Sequence, residues 1–195
     1  MPRRRPISTE TSQLYATSTE FCRVFKTNMD NMHFLSFLLT ADLAKAEECF
    51  VSGLDDCGRG SYVFRNWARS WARRTIIQNA VRMLAPLANR SAVIAVPSGT
   101  LNCKFARTLE ADATIASILG LEDFERFVFV MSVLERYSDQ DCAVLLGCSR
   151  QDVREARMQA FLHVAESDKL RAESALDSNA HEQTQTREAQ MAPPF

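Results

Sequence analysis

SDQDCAVLLGCSRQDVREARMQAF, residues 138–161, has the pattern of two short helices joined by a tight turn. Ala143 stands where the helices cross, Gly147 follows at the turn, and Val153 lies on the inner face of the second helix. Closely crossing helices need a small residue at the contact, and glycine tolerates the left-handed backbone that ends a helix sharply. The stretch therefore reads as a helix-turn-helix, whose second helix is built to enter the DNA major groove. With Val153, Ala156, Ala160 and Val164 turned inward, about 3.6 residues per turn leaves Gln151, Arg154, Glu155 and Met158 outward. Ser149 is the expected N-cap, its first-turn N–H groups near a phosphate, and Arg150 flanks the helix start. Arg and Gln there can read base edges. The plainer reading of the same unit is a helical hairpin for protein contact.

Working upstream, FERFVFVMSVLERY reads as a further helix, since it lacks Pro and Gly and has charged ends. The stretch Ser61–Leu84 carries an apolar stripe of Phe64, Trp67, Ala68, Trp71, Ala72, Ile76, Ala80 and Leu84, so a helix is expected there with both tryptophans in the core. Arg65, Arg69 and Arg73 recur on a second stripe, joined by Arg74 and Arg82, and no acid falls between Ser61 and Leu84. That stripe suits phosphate contact beside an opened strand, with aromatic rings available for stacking; a solvated charged face is the bland alternative. Earlier, Phe21 to Leu39 reads as one long helix or two short ones. Thr40 or Asp42 caps a helix over roughly Leu43–Leu54, whose Glu47 and Glu48 suit the positive end of the helix dipole. Gly53, Gly58 and Gly60 are read as its end. Another helix is expected over Phe105–Leu119.

The bulk properties set limits. The chain has 195 residues, 46% of them hydrophobic, with a net charge of −1. That balance is unlike a free-standing basic DNA binder, so any DNA contact must come from a local patch or be assisted by a larger partner. Six Gly and six Pro argue against an all-β chain rich in turns. FLSFLLTADL is too short to span a membrane. The basic MPRRRPISTE has no apolar run behind it, so no secretory signal is expected and the cytoplasm is the default location. The six cysteines contain no C-x-x-C pair and the three histidines are scattered. They read as buried thiols in a reducing compartment, and no metal and no cofactor is expected. Glu47 and Glu48 are no catalytic pair: neighbours on a helix point about 100° apart, and no nucleophile, metal ligand or phosphate loop accompanies them. No enzyme is indicated.

The fold expected is all-α, two small helical modules joined by a linker. Residues 1–15 read as a disordered N-terminus, 16–86 as the first module and 87–104 as the linker. The helix-turn-helix module covers 105–165 and a disordered tail 166–195.

Residues 121–164, LEDFERFVFVMSVLERYSDQDCAVLLGCSRQDVREARMQAFLHV, resemble region four of the ECF-type sigma factors of bacterial RNA polymerase. Leu121, Glu125, Arg126, Val128, Glu135, Ser138, Ala143, Leu146, Gly147, Cys148, Ser149 and Val153 carry the resemblance. More weakly, ADLAKAEECF (41–50) resembles the start of the region-two helix that grips the polymerase clamp. FRNWARSWARR (64–74) resembles the aromatic and basic helix that binds and opens the promoter element near the start site, with Phe64, Arg65 and Trp67 on the pattern. The resemblance implies binding to RNA polymerase core through Glu47 and Glu48. It implies promoter DNA contact through Arg65, Arg69, Arg73 and Arg74 in the first module and Ser149, Arg150, Gln151 and Arg154 in the second. An anti-sigma factor is a further implied partner.

The chain departs from the family at Cys49, Phe50, Val51 and Ser52, where an apolar pair and Gln-Glu are usual. Arg74 replaces an asparagine. In the recognition helix Asp152 replaces a threonine, and Ala156, Gln159 and Phe161 fall where basic residues are common. Asp152 and Glu155 are expected to repel phosphates. A second reading follows from these departures: a helical regulatory protein that keeps the sigma scaffold without initiating transcription.

Overall fold

The computed structural model describes residues 14–59, 62–86, 113–167 and 169. The linker at 87–104, most of the N-terminal and C-terminal tails, and the first part of the helix expected over Phe105–Leu119 lie outside these residues. The described chain is all-helical. Its elements are α1 (Ser18–Thr27), α2 (Met29–Thr40), α3 (Leu43–Gly58), a 3₁₀ turn (Arg65–Trp67), α4 (Ala68–Leu84), α5 (Ala113–Leu119) and α6 (Asp123–Phe129). A π-helical turn (Val130–Leu134), α7 (Asp139–Leu146) and α8 (150–167) complete it.

The helix ends follow from local chemistry. Thr17 and Glu20 form a reciprocal capping box at the start of α1. Phe21 to Leu39 divides in two at Asn28, whose side-chain amide donates to the Val24 carbonyl at 2.8 Å. Asp42, rather than Thr40, caps α3 by accepting from the Lys45 N–H at 2.9 Å. The Thr40 hydroxyl instead donates back to the Ser36 carbonyl at 2.9 Å.

Two expectations about α3 change. The helix runs through Gly53 to Gly58. Gly53 is buried in its interior, where a Cβ would stand 3.0 Å from Ile76 Cγ1. It permits the close crossing of α3 and α4 and does not end the helix. Because α3 begins at Leu43, Glu47 and Glu48 lie beyond its first turn. A dipole effect that fades within one turn gives them little stabilisation.

A larger correction concerns Ser61–Leu84. The α-helix begins only at Ala68, preceded by the 3₁₀ turn and by one antiparallel bridge between Tyr15 and Phe64. The change of backbone at residues 64–67 takes Phe64 and Trp67 out of the apolar phase of α4. Trp67 is 65% exposed and Phe64 46% exposed, whereas Trp71 packs half-buried against the core.

One continuous apolar cluster joins residues from both halves: Phe21, Phe25, Leu39 and Ile76 with Phe124, Phe127, Met131, Val153 and Ala160. Each fully buried large side chain contributes roughly 1.5–3 kcal/mol relative to an exposed one. α2 packs on α6, and α4 on α7. A polar tie reinforces this: Arg126, 4% exposed, donates from Nε to the Leu39 carbonyl at 3.3 Å and from Nη1 to the Leu121 carbonyl at 2.8 Å. Its third partner is the Asp123 carboxylate. Burial lowers the guanidinium pKa against the opposing pull of Asp123. No helix among the described residues is long and apolar enough to cross a membrane.

Candidate nucleic-acid interface

The helix-turn-helix is built from α7 and α8. Ser138 caps α7 by accepting from the Asp141 N–H at 3.1 Å. Gly147 ends α7 in the left-handed region at φ 70°, and the Cys148 N–H closes back onto the Ala143 carbonyl at 3.0 Å. Nothing lies within 4 Å of where a Gly147 Cβ would be, so glycine is required there by conformation and not by space. Cys142, Ala143 and Leu146 of α7 are buried, as are Val153, Ala156 and Ala160 of α8. Ala143 and Val153 are buried between the two helices, and Gly147 turns the chain from one to the other.

Ser149 starts α8. Its hydroxyl accepts from the Asp152 N–H at 3.1 Å while the Asp152 carboxylate accepts from the Ser149 N–H at 2.9 Å. Asp152, expected only to repel phosphate, is the reciprocal member of this cap. The S-x-x-D spacing was the available signal for it. Arg157 donates to Asp139 at 2.6 Å and ties α8 to the first turn of α7.

The outer face of α8 presents Arg150, Gln151, Arg154, Glu155 and Met158, all exposed. A hydrogen-bonded chain runs along it: Arg154 donates to Gln151 at 2.8 Å and Gln151 to Glu155 at 2.7 Å. The chain orients the Gln151 amide, and Glu155 supplies a negative neighbour. Farther along, Phe161 and Leu162 are exposed, and Phe161 meets Phe129 edge to face at 5.5 Å between ring centres.

The second set of candidates lies on α4 and the turn before it. Tyr15 stacks on Phe64 at 5.1 Å, and Trp67 meets the Phe64 ring edge to face at 5.8 Å. Tyr62, 80% exposed, meets Tyr15 at 5.9 Å. These four rings form a surface array that helical phase alone concealed.

The arginines divide. Arg65 is exposed and ion-paired with Glu20, and Arg69 is exposed. Arg73 is half-buried and donates from Nε and Nη2 to both oxygens of Glu135, the first at 2.6 Å. Those bonds hold the Arg73 pKa above the usual guanidinium value despite partial burial. Sequence reasoning missed Glu135 as a partner because 62 residues separate it from Arg73. Arg74 lines a cleft of about 410 Å³ together with Gln78, Val81, Arg82, Val144 and Leu145.

Glu47 and Glu48 are exposed on α3, between the buried Ala46 and Cys49. The structure does not bring them to either arginine set. Among the described residues no group of His, Cys, Asp or Glu is placed to hold a metal ion. Cys49 and Cys142 are buried thiols pushed up to about 11, mainly by desolvation, which is the opposite of a reactive thiolate.

No family model and no curated protein matches the chain. Among solved structures it is similar to the sigma factor RpoE, in complex with the anti-sigma factor NepR, from Bartonella quintana. The identity is 14% and the TM-score 0.47, over 77% of this chain and 98% of that one.

Proposed function

We propose that this chain is a sigma-factor-like transcription initiation protein. It binds RNA polymerase core, with Glu47 and Glu48 on the contact surface, and recognises promoter DNA through α8. The observation that carries the reading is the capped α8 on a buried crossing, with Arg150, Gln151 and Arg154 together on its exposed face. Its first-turn N–H groups and the Ser149 cap suit a phosphate, and Arg and Gln suit base edges. The exposed Phe64 and Trp67 rings beside Arg65 and Arg69 suit an unpaired strand, with rings for bases and guanidinium groups for phosphates. Arg73 and Arg74 extend that stripe toward the second half of the chain. Polymerase supplies affinity that a net charge of −1 does not. A cytoplasmic location and regulation by an anti-sigma factor belong to the same proposal.

Co-purification with core polymerase and a run-off transcription assay test it. Core-dependent initiation from a defined start site is expected. No binding to core at micromolar concentration overturns it.

The Gln151–Glu155 bond and the Arg73–Glu135 pair favour a second reading, a regulatory protein that keeps the scaffold without initiating. It predicts weak DNA binding with little salt dependence. Loss of affinity with a slope near −0.9 per phosphate contact counts against it.

A further inference from the structure

The Arg73–Glu135 contact differs from an ordinary surface ion pair. The Arg73 side chain is 23% exposed and that of Glu135 only 10%, and the carboxylate accepts two bonds from one edge of the guanidinium. Such a fork is stronger and more directional than a single exposed pair. It also joins the halves of the molecule, α4 on one side and the α6–α7 junction on the other.

The backbone at that junction is unusual. The π-helical turn places the Glu135 N–H on the Val130 carbonyl at 2.9 Å. The next residue, Arg136, has φ 58°. Left-handed backbone in a residue with a Cβ costs roughly 1–2 kcal/mol, and Arg136 is exposed, so its own side chain does not explain it. The Tyr137 N–H then returns to the Met131 carbonyl at 2.9 Å. Left-handed residues also close helices at Ala41 and Ala85, so Arg136 ends the turn in the same way, and Glu135 stands at that end where it meets Arg73.

We propose that this contact is an autoinhibitory clasp. Glu135 occupies the Arg73 guanidinium that a nucleic-acid phosphate would otherwise take. The inference rests on the α4 stripe being a polyanion-binding face. Arg69 and Arg73 lie one turn apart on the same face of α4. A backbone running along α4 from Arg69 therefore meets, at Arg73, a cation already neutralised and a carboxylate of like charge. Full engagement of the stripe requires Glu135 to move away, and with it the packing of the α6–α7 junction on α4. Binding along the stripe and closure of the two halves are then linked and mutually opposed.

The test uses the full-length chain, heparin as a sequence-independent polyanion, and a mixed-sequence single-stranded oligonucleotide. E135Q should bind both roughly five- to tenfold more tightly at low salt, with the salt slope for the oligonucleotide steeper by about one. The double variant R73Q/E135Q compared with R73Q should show no gain, which separates release of Arg73 from a mere change of net charge. Equal binding by E135Q and the natural chain overturns the proposal, as does failure of both to bind heparin. A gain from E135Q that survives in the R73Q background overturns it as well. Should E135Q not fold, E135D, with a shorter reach and the same charge, must show a smaller gain; its absence is equally fatal. Failure to bind RNA polymerase core while the heparin contrast holds strikes at the proposed function and not at the clasp.

Discussion

The Arg126 guanidinium reaches across 87 positions of sequence to the Leu39 carbonyl, at 3.3 Å, inside the contact between α6 and α2. Three acceptors surround it, Leu39 from α2, Leu121 just before α6 and Asp123 at the start of α6, and solvent does not. Replacing it with alanine leaves two carbonyls without a donor and Asp123 without its cation. Arg126→Ala should destabilise the fold by about 3 kcal/mol. Arg126→Lys should recover only part of the loss, because an ammonium lacks the planar fork. Urea unfolding measures both. A loss for the alanine variant below about 1 kcal/mol, the usual minimum cost of one unmet buried group, contradicts this role.

At Gly147, alanine has room but not the backbone. Gly147→Ala should cost about 1–2 kcal/mol through φ alone, and Gly147→Asn less, since asparagine tolerates the left-handed region. Thermal unfolding followed by circular dichroism checks the order.

The two tryptophans should behave oppositely. Trp71 packs on the core, so Trp71→Ala should cost about 3 kcal/mol of stability. Trp67 is mostly exposed, so Trp67→Ala should leave the unfolding midpoint nearly unchanged. It should weaken single-stranded DNA binding by about 1–3 kcal/mol if bases stack there. Fluorescence anisotropy with a labelled oligonucleotide, beside a denaturation curve, separates the two effects.

Alkaline pH should destabilise the protein through its buried thiols. Cys49 and Cys142 stay protonated in the fold up to about 11, while unfolded thiols ionise from about 9. Above that lower value the unfolded state binds fewer protons, so stability is fully present below it and falls as pH rises through the folded values. Tyr137, raised chiefly by burial, acts in the same direction. The C49A/C142A double variant should show a shallower decline between pH 9 and 11 in urea midpoints, the window bounded by those shifts. An unchanged slope excludes the thiols as the cause.

What the order of residues makes legible is local. Ser149 as a cap, Gly147 at the turn and Val153 facing inward each depend on neighbours within about one or two helical turns. The same rules place Arg150, Gln151 and Arg154 on the outer face. Periodicity fails at Phe64 and Trp67, whose spacing matches α4. Backbone bonds from Ala16 to Val63 and from Arg65 to Leu14 bend that segment away before the helix begins. A stripe counted on a helical wheel assumes the helix is there.

The amino-acid sequence alone determined the all-helical character of the described residues and their helix-turn-helix, because caps, glycine conformation and apolar period act over a few residues. Tertiary structure alone decided which charges remain exposed. Arg73 meets Glu135 and Arg126 meets Leu39 only when distant helices close on one core. Such pairings depend on the approach of segments whose separation along the chain carries no signal of it.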